Sequence, residues 1–351
     1  MIDEDNRIDD FIEDEEDVFR YSITSYGADY TVDRLVNRLN SGKIVIPDFQ
    51  RKYVWNIKEA SRFIESLILG LPVPGVFFCQ EKGTNNMLVI DGQQRLKSLQ
   101  FFYNKLFKDS QAFKLKGVQE DLEDLTIDDL DTNDKNKLDD SVIHATVIKQ
   151  DSPEDDDSSI YMIFERLNTG GMKLVPQEIR ACIFHGEFNK MLSELANDEY
   201  WKKIYSVDNQ RLKSEELILR FFTLYEWHEK YKKGLKGFLN TYMEQHQNIT
   251  PDKKELMIEL FSNTIKCVYN IIGENAFRLS KNINAAVYDS MMIGIANRLN
   301  DNRPFNQDQF KGRYNGLLDD LEYRRFVESN TSSEMSVKGR INMAIEAFKD
   351  I

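Results

Sequence analysis

The chain has 351 residues, of which 41% are hydrophobic and 30% charged, and these values are typical of a globular protein with room for two domains. Its formal net charge of -13 excludes broad, sequence-independent wrapping of nucleic acid, because phosphate neutralisation requires an excess of Lys and Arg. Any contact with nucleic acid or a nucleotide must therefore use a local basic pocket.

The cysteines and the apolar runs indicate a cytoplasmic protein. Cys79, Cys182 and Cys267 lie far apart in apolar runs, as reduced and buried cysteines do. The longest apolar stretch, residues 67–79, is too short to span a bilayer and contains two prolines. The acidic N-terminus is the opposite of the basic start of a signal peptide. We therefore predict a cytoplasmic location and no membrane partner.

The chain begins with an acidic tail, which we predict to cover residues 1–24. Asp and Glu crowd this stretch and apolar anchors are few, so a mobile or partner-directed segment is expected. An amphipathic helix is predicted to follow Thr31 and to end at Gly42. A short strand at residues 43–46 comes next.

The segment after this strand combines an amide, an arginine and aromatic rings. Arg51 can bind a phosphate, and Tyr53 or Trp55 can stack on a base. The same segment also fits a surface loop anchored by Phe49 and Trp55. Taken alone, the segment favours the loop interpretation.

The next elements complete an alternation of helices and strands. Asn56 and Glu59 have the spacing of a capping box and predict the start of a second helix. Residues 76–79 predict a buried strand, and residues 82–86 predict a hairpin connection to a strand at residues 87–90. This alternation indicates a small mixed sheet with polar turns at the strand ends.

The most informative stretch of this domain is the turn that follows the last of these strands. Asp91 and Gly92 end the apolar run, and Gln93, Gln94 and Arg95 are predicted on the first turn of a helix. Backbone N–H groups there lack acceptors within the helix, and the helix dipole adds positive charge, so a phosphate fits this position. Asp91 and Gln94 also have the spacing of a capping box, which needs no ligand. The residues alone support both interpretations about equally.

Two further segments extend the first domain to about residue 150. Residues 120–140 are rich in acidic side chains and predict a helical or looped insertion. Residues 141–148 predict a strand that joins the same sheet. His144 on this strand is expected to be packed or exposed rather than catalytic.

The third polar turn lies at residues 165–171, where a predicted helix ends in two glycines. Pro176 then fits the first turn of another helix, with Glu178 and Arg180 near its start. For these residues alone, a helix C-cap and a solvent-facing ion pair are the better interpretation. From Phe188 onward, apolar residues recur at helical spacing and predict an all-helical domain.

Together these segments resemble the N-terminal domain of GmrSD-type restriction endonucleases, a ParB-like, sulfiredoxin-related domain. The resemblance extends over about residues 25–225 and rests on four motifs in the family's order: Ile46-Pro47-Asp48-Phe49-Gln50-Arg51-Lys52-Tyr53-Val54-Trp55, Leu67-Ile68-Leu69-Gly70-Leu71-Pro72-Val73-Pro74, Ile90-Asp91-Gly92-Gln93-Gln94-Arg95, and Phe164-Glu165-Arg166-Leu167-Asn168-Thr169-Gly170-Gly171 with Glu178-Ile179-Arg180. It implies an α+β fold, with a small ParB/sulfiredoxin-like mixed-sheet domain at residues 25–150 and an all-helical domain at residues 151–351.

The resemblance also implies an NTP pocket and NTP hydrolysis, with Mg²⁺, in a bacterial anti-phage or restriction system that acts on modified or foreign DNA. Carried over by position, Asp91 would polarise a water or hold a metal-bound water, Gln94 would orient phosphate, and Arg95 would neutralise it. The nucleotide-binding residues implied in this way are Gln50, Arg51, Gly92, Gln93, Arg166, Asn168, Glu178 and Arg180. No protein ligands to a metal are predicted, and the choice among GTP, ATP, CTP and dNTPs stays open.

One departure from the family affects the expected partners. Members usually carry a second, His-Asn-His-type nuclease domain, for which the four scattered histidines of this chain are too few. A nuclease or other defence protein on a separate chain is therefore expected, as is DNA bound through a local basic pocket, and homo-oligomers stay open. The alternatives are a metal-dependent nuclease with Asp91 and Glu178 on a divalent ion, and a non-catalytic helical scaffold that binds protein or DNA.

Overall fold

A computed structural model describes residues 22–46, 53–80, 86–108, 111–152, 175–184, 186–206, 212–232, 234–301, 303–304 and 306–351. The described residues fall into two compact units. The sheet unit lies within Arg20–Leu174, and the helical unit comprises the described residues of Val175–Ile351. The predicted α+β fold, with a mixed sheet followed by helices, is confirmed.

The sheet unit alternates short strands and helices. Its elements are β1 (Ser22–Thr31), α1 (Val32–Asn40), β2 (Ile44–Val45), α2 (Ile57–Ile68), β3 (Val76–Gln80), β4 (Met87–Asp91), α3 (Gln93–Tyr103), β5 (Leu106–Phe107), β6 (Gln111–Ala112), α4 (Thr132–Asp140) and β7 (Val142–Ser152). The predicted capping box of α2 is confirmed, since the Glu59 N–H donates to Asn56 Oδ1 at 3.0 Å and the Asn56 N–H donates to Glu59 Oε2 at 2.8 Å.

The main sheet has five strands in the order β1-β7-β3-β4-β2. Strands β3 and β4 pair antiparallel, as the predicted hairpin requires, and β7 joins the sheet parallel to β3. Strand β2 pairs parallel to β4, so the C-terminal ends of these two strands meet at one edge of the sheet. The chain leaves β4 at this edge through Asp91.

The core of the sheet unit lies on one face of the sheet, under helices α1 to α4. Every second residue of β7 enters this core, as Ile143, Ala145 and Val147 do, whereas His144 between them is exposed. The helices contribute buried side chains such as Leu35 and Leu99, which have no exposed surface. The turn that follows β4 is therefore supported by a packed layer of sheet and helices.

The helical unit has a buried central helix. Its helices are α5 (Pro176–Ile183), α6 (Glu187–Leu195), α7 (Glu199–Tyr205), α8 (Lys213–Trp227), α9 (Leu235–His246), α10 (Pro251–Ile271), α11 (Ala285–Asn300), α12 (Gln307–Asp319), α13 (Leu321–Glu328) and α14 (Glu334–Lys349). Helix α11 is buried along most of its length and touches α14 closely, because a Cβ on Gly294 would lie 2.7 Å from the Ala344 carbonyl. None of the described helices is both long and apolar enough to cross a membrane.

Candidate functional site

The turn between β4 and α3 depends on a glycine. Gly92 is the N-cap of α3 and has φ = 101°, a left-handed conformation that L side chains rarely adopt. A Cβ at this position would lie 2.5 Å from Cγ1 of Val76 on the neighbouring strand. Backbone conformation and close packing therefore both require glycine here, whether or not a ligand binds.

The capping box, one of the two interpretations of this turn, does not form. The N-cap of α3 is Gly92, and no side chain caps the helix. Asp91 and Gln94 have the correct spacing, but their side chains bond to other partners in the sheet unit. The backbone N–H groups of the first helical turn, at Gln93, Gln94 and Arg95, have no acceptors within the helix.

Arg95 joins the turn to the chain segment that precedes β3. Its Nη1 donates to the carbonyl oxygens of Pro74 and Gly75, the latter at 2.5 Å, and its Nη2 donates to Asp91 Oδ2 at 3.0 Å. The Arg95 side chain is 13% exposed and that of Asp91 is 50% exposed. The guanidinium is thus fixed beside the helix N-terminus, while the carboxylate of Asp91 remains accessible.

Gln94 connects α3 to the second predicted motif. Its side-chain oxygen accepts hydrogen bonds from the N–H groups of Val54 at 3.0 Å and Trp55 at 3.2 Å. One turn further along α3, the Ser98 hydroxyl lies 2.7 Å from the hydroxyl of Tyr53. The structure therefore brings the end of the second motif and the Asp-Gly-Gln-Gln-Arg turn together, and Gln94 holds them in place.

The aromatic residues predicted to stack on a base make packing contacts instead. The Tyr53 ring meets Phe101 edge-on at 5.0 Å, and burial raises the pKa of Tyr53 to about 12. Trp55 meets Phe63 edge-on at 5.8 Å. The contacts of Tyr53 and Trp55 agree with the loop interpretation of this segment. Phe49, Gln50 and Arg51 lie outside the described residues.

A second polar pair occupies β1 and β7. His144 Nδ1 lies 2.8 Å from Asp29 Oδ1, and both side chains are exposed, which is one of the two positions expected for His144. Neighbouring glycines make room for this residue, because a Cβ on Gly27 would lie 2.9 Å from its ring and one on Gly75 would lie 2.7 Å from its carbonyl oxygen.

The predicted site residues of the helical unit have partners within that unit. The Glu178 carboxylate accepts a hydrogen bond from the Val175 N–H at 2.8 Å, at the start of α5. Arg180 is 2% exposed, and it donates to Glu216 at 2.9 Å and to Asn240 at 2.8 Å. The predicted solvent-facing arrangement is therefore wrong for Arg180. Whether Glu178 and Arg180 line a nucleotide pocket stays a prediction, and Arg166 and Asn168 lie outside the described residues.

The sequence reasoning did not predict the acceptors of Arg95 on the Leu-Pro-Val-Pro-Gly segment. Backbone carbonyl oxygens occur at every residue and carry no residue-type signal, so the sequence alone does not show which of them Arg95 contacts. Among the described residues, no group of three or more His, Cys, Asp and Glu side chains is placed to hold a metal ion.

The sheet unit is an α+β domain in which strand β4 ends in a turn. Gly92 is the N-cap of the helix after this turn, and Arg95 hydrogen-bonds to the segment before β3. Residues 32–185 match the model of the family described as GmrSD restriction endonuclease, N-terminal domain. This match covers less than half of the chain and confirms, over those residues, the resemblance drawn from the four motifs.

A curated relative gives a second comparison. An uncharacterized protein of Methanocaldococcus jannaschii is 30% identical over 124 residues, which is 28% of this chain and 21% of the relative. The matching part thus spans about a fifth of the length of that relative.

Proposed function

We propose that this chain is a regulatory component of a restriction or anti-phage system and that it binds and hydrolyses an NTP at the turn between β4 and α3. The description of the matching family, an N-terminal domain of a restriction endonuclease, supports the first part. The observation that carries the second part is the guanidinium of Arg95, fixed beside the half-exposed carboxylate of Asp91 at the N-terminal turn of α3.

The N-terminus of α3 offers a phosphate several donors. Its first three backbone N–H groups point out of the helix, and the helix dipole adds roughly half a positive charge there. These features fit the anionic part of an NTP.

Arg95 retains capacity for a ligand. Among the described residues it makes three hydrogen bonds, to Pro74, Gly75 and Asp91, which use three of the five N–H groups of a guanidinium. The other two can donate to phosphate oxygens. Because the existing bonds already hold the side chain, little conformational entropy is lost when phosphate binds.

Asp91 is the group placed to act on a water. Its carboxylate is half exposed and is held by Arg95, so one oxygen can accept a hydrogen bond from a water or from a magnesium-bound water. The bound nucleotide would supply the phosphoanhydride bond that is cleaved and oxygens for Mg²⁺. Gln94 acts as a positioning residue, because its side-chain oxygen holds Val54 and Trp55.

The remaining parts of the proposal follow from the resemblance. Gln50 and Arg51 would contribute to the pocket from the second motif, with Gln93 on α3. Arg166 and Asn168 would contribute from the segment that follows the sheet. The nucleotide state would control action on DNA through a partner nuclease carried by another chain.

The experiment is a calorimetric titration with GTP, ATP, CTP and dNTPs in the presence of magnesium, with phosphate release followed in parallel. Arg95→Ala should abolish both binding and release. Arg62→Ala is the matched control, since Arg62 also donates to a loop carbonyl of the sheet unit, that of Gly117 at 3.3 Å. This control should leave both measurements unchanged.

Circular dichroism shows whether Arg95→Ala is folded, and Arg95→Lys covers the case in which it is not. Lysine keeps the charge but loses the fork, so binding should weaken by about tenfold or more while the fold is retained. No binding of any NTP by the wild-type chain at millimolar concentration would contradict the proposal.

A further inference from the structure

A surface with two tyrosines and three lysines lies in the helical unit, where α7 packs against α10. The rings of Tyr200 and Tyr269 lie side by side, with centroids 5.5 Å apart and an angle of 51° between their planes. The ammonium of Lys203 is 5.4 Å from the centroid of Tyr200 and 5.3 Å from that of Tyr269, and the ammonium of Lys266 is 5.8 Å from that of Tyr200. With Lys202, these residues form what we call the tyrosine-lysine patch.

The two rings of the patch lie at the surface rather than in the core. The core positions belong to their neighbours in sequence, since Trp201 on α7 and Val268 on α10 have no exposed surface. Each helical residue is turned by about 100° from the next, so Tyr200 and Tyr269 point away from that core. Both rings are only partly buried, and part of their surface is accessible to a ligand.

The charge of the patch is opposite to that of the whole chain. The formal net charge of the protein is -13, yet residues 261–271 of α10 contain no Asp or Glu, and Lys266 is exposed among them. On α7, Lys202 and Lys203 are exposed near two acidic residues: Glu199, which accepts from Lys203 at 2.6 Å, and the N-cap Asp198, which accepts from the N–H groups of the helix. An exposed pair of this kind contributes little stability, so a phosphate can replace Glu199 as the partner of Lys203.

We infer that the tyrosine-lysine patch binds a single-stranded polynucleotide. Aromatic faces stack with unpaired bases of any sequence. The ammonium groups of Lys203 and Lys266, which lie over the rings in the free chain, would move from the faces to the adjacent phosphates when a base stacks. A duplex offers phosphates but no free base faces, so the adjacent tyrosines favour a single strand. The inference does not depend on NTP binding, because none of these residues belongs to the turn between β4 and α3.

The test measures fluorescence anisotropy of labelled oligo-dT and oligo-U with the full chain, without NTP, over a series of salt concentrations. The double variant Lys203→Glu/Lys266→Glu should weaken binding by about tenfold or more, and the slope of log K against log salt should fall by about 1.4 for two lost phosphate contacts. The DNA and RNA arms show which sugar is preferred, and binding of either supports the inference.

Lys338→Glu is the matched control. Lys338 pairs with Glu334 four residues away on α14, as Lys203 pairs with Glu199 on α7. Within the described part of the chain, no tyrosine ring contact is recorded for Lys338. The control lowers the net charge by about two units where the double variant lowers it by about four, so an effect of net charge alone would appear in the control at about half its size in the double variant. The control should change affinity by less than about twofold, because Lys338 is not expected to contact a backbone phosphate.

The tyrosines separate stacking from charge. Tyr200→Leu/Tyr269→Leu should weaken binding by about fivefold or more, whereas Tyr200→Phe/Tyr269→Phe, which keeps both aromatic faces, should bind as the wild type does. Helical circular dichroism confirms that each variant is folded. Three results would overturn the inference: no binding of either strand by the wild type at low salt, equal losses in the patch and control lysine variants, or an unchanged affinity in the leucine variant.

Discussion

Arginine-aspartate pairs occur in both units, and their surroundings differ. In the sheet unit, Arg95 and Asp91 form one pair at a turn, with the carboxylate half exposed. In the helical unit, Asp289 is fully buried and accepts from Arg220 Nη2 at 2.8 Å and from Arg340 Nη2 at 3.0 Å. The same chemistry is therefore available to a ligand in one unit and sealed in the core of the other.

The buried cluster carries an uneven charge. One carboxylate faces two guanidinium groups, and loss of hydration lowers the pKa of Arg340 from its ordinary value. Such a cluster does not add stability over an apolar core, but removal of Asp289 takes away the carboxylate that both buried guanidinium groups share. Asp289 is therefore expected to matter for folding, whereas Asp91 is expected to matter for chemistry.

The largest expected effect is that of Asp289→Asn, which removes the charge that balances Arg220 and Arg340. The free energy of unfolding of the helical unit should fall by about 3 to 5 kcal/mol, because two buried guanidinium groups lose their counter-charge. Urea denaturation followed by circular dichroism measures it. Asp301→Asn is the control, since Asp301 meets Arg303 at 2.7 Å on the surface. A loss equal to that of the control would remove the contrast between the two units.

The next largest effect on stability is expected for Gly92→Ala, which tests whether the turn between β4 and α3 needs glycine for its conformation and packing. We expect a loss of about 2 to 4 kcal/mol, from a positive φ and from overlap with Val76. Gly70→Ala is a matched control, because Gly70 has φ = 69° but nothing within 4 Å of its Cβ position. Its cost should be about 1 to 2 kcal/mol. Equal costs in chemical denaturation would show that overlap with Val76 plays no part.

A smaller effect is expected for Tyr53→Phe, which removes the hydrogen bond to Ser98 and costs about 0.5 to 1.5 kcal/mol at neutral pH. Burial raises the pKa of Tyr53 from 10.0 to about 12. The stability that comes from keeping the hydroxyl neutral is therefore fully present below pH 10 and is lost as the pH rises through about 12.

Unfolding curves between neutral pH and pH 12 test this dependence. Wild type should lose more stability than Tyr53→Phe over the alkaline part of the range, so the two curves approach each other. Tyr26→Phe, at a position with 43% exposure, serves as the control. Parallel curves for wild type and Tyr53→Phe would contradict the expected burial of the hydroxyl.

Local sequence patterns predicted helices and their caps better than contacts between residues that are distant in the chain. The capping box of α2 formed as predicted, because both of its partners lie within one helical turn. The box that the spacing of Asp91 and Gln94 allowed as an alternative did not form, since the Gln94 side chain instead accepts from Val54 and Trp55, about 40 residues earlier in the chain. Spacing along a helix carries no information about such an acceptor.

The same limit applies to strand β1 and to Arg180, whose partners are distant in the chain. Strand β1 was not predicted, because its polar and glycine-containing sequence has a weak strand pattern and its partner β7 lies far along the chain, as the 115-residue separation of Asp29 and His144 shows. Arg180 was expected at the surface, but Glu216 and Asn240 from later helices surround it. Only tertiary packing decides such positions.

The smallest effect on stability, and the sharpest test of the contrast, is expected for Asp91→Asn. The amide oxygen can still accept from Arg95, and the pair is partly exposed, so the free energy of unfolding should change by less than about 0.5 kcal/mol. If Asp91 acts on the attacking water, phosphate release from the bound NTP should nevertheless fall by about 100-fold or more.

The matched control is Asp29→Asn, since Asp29 is also an exposed carboxylate in the sheet unit with a nitrogen partner, His144 at 2.8 Å. It should leave both stability and phosphate release unchanged. Nucleotide binding that persists in Asp91→Asn with unchanged release would exclude a role for this carboxylate in hydrolysis. A large loss of stability in Asp91→Asn would instead make the exposed pair structural, as the buried one is, because the same substitution would then have the same consequence in both units.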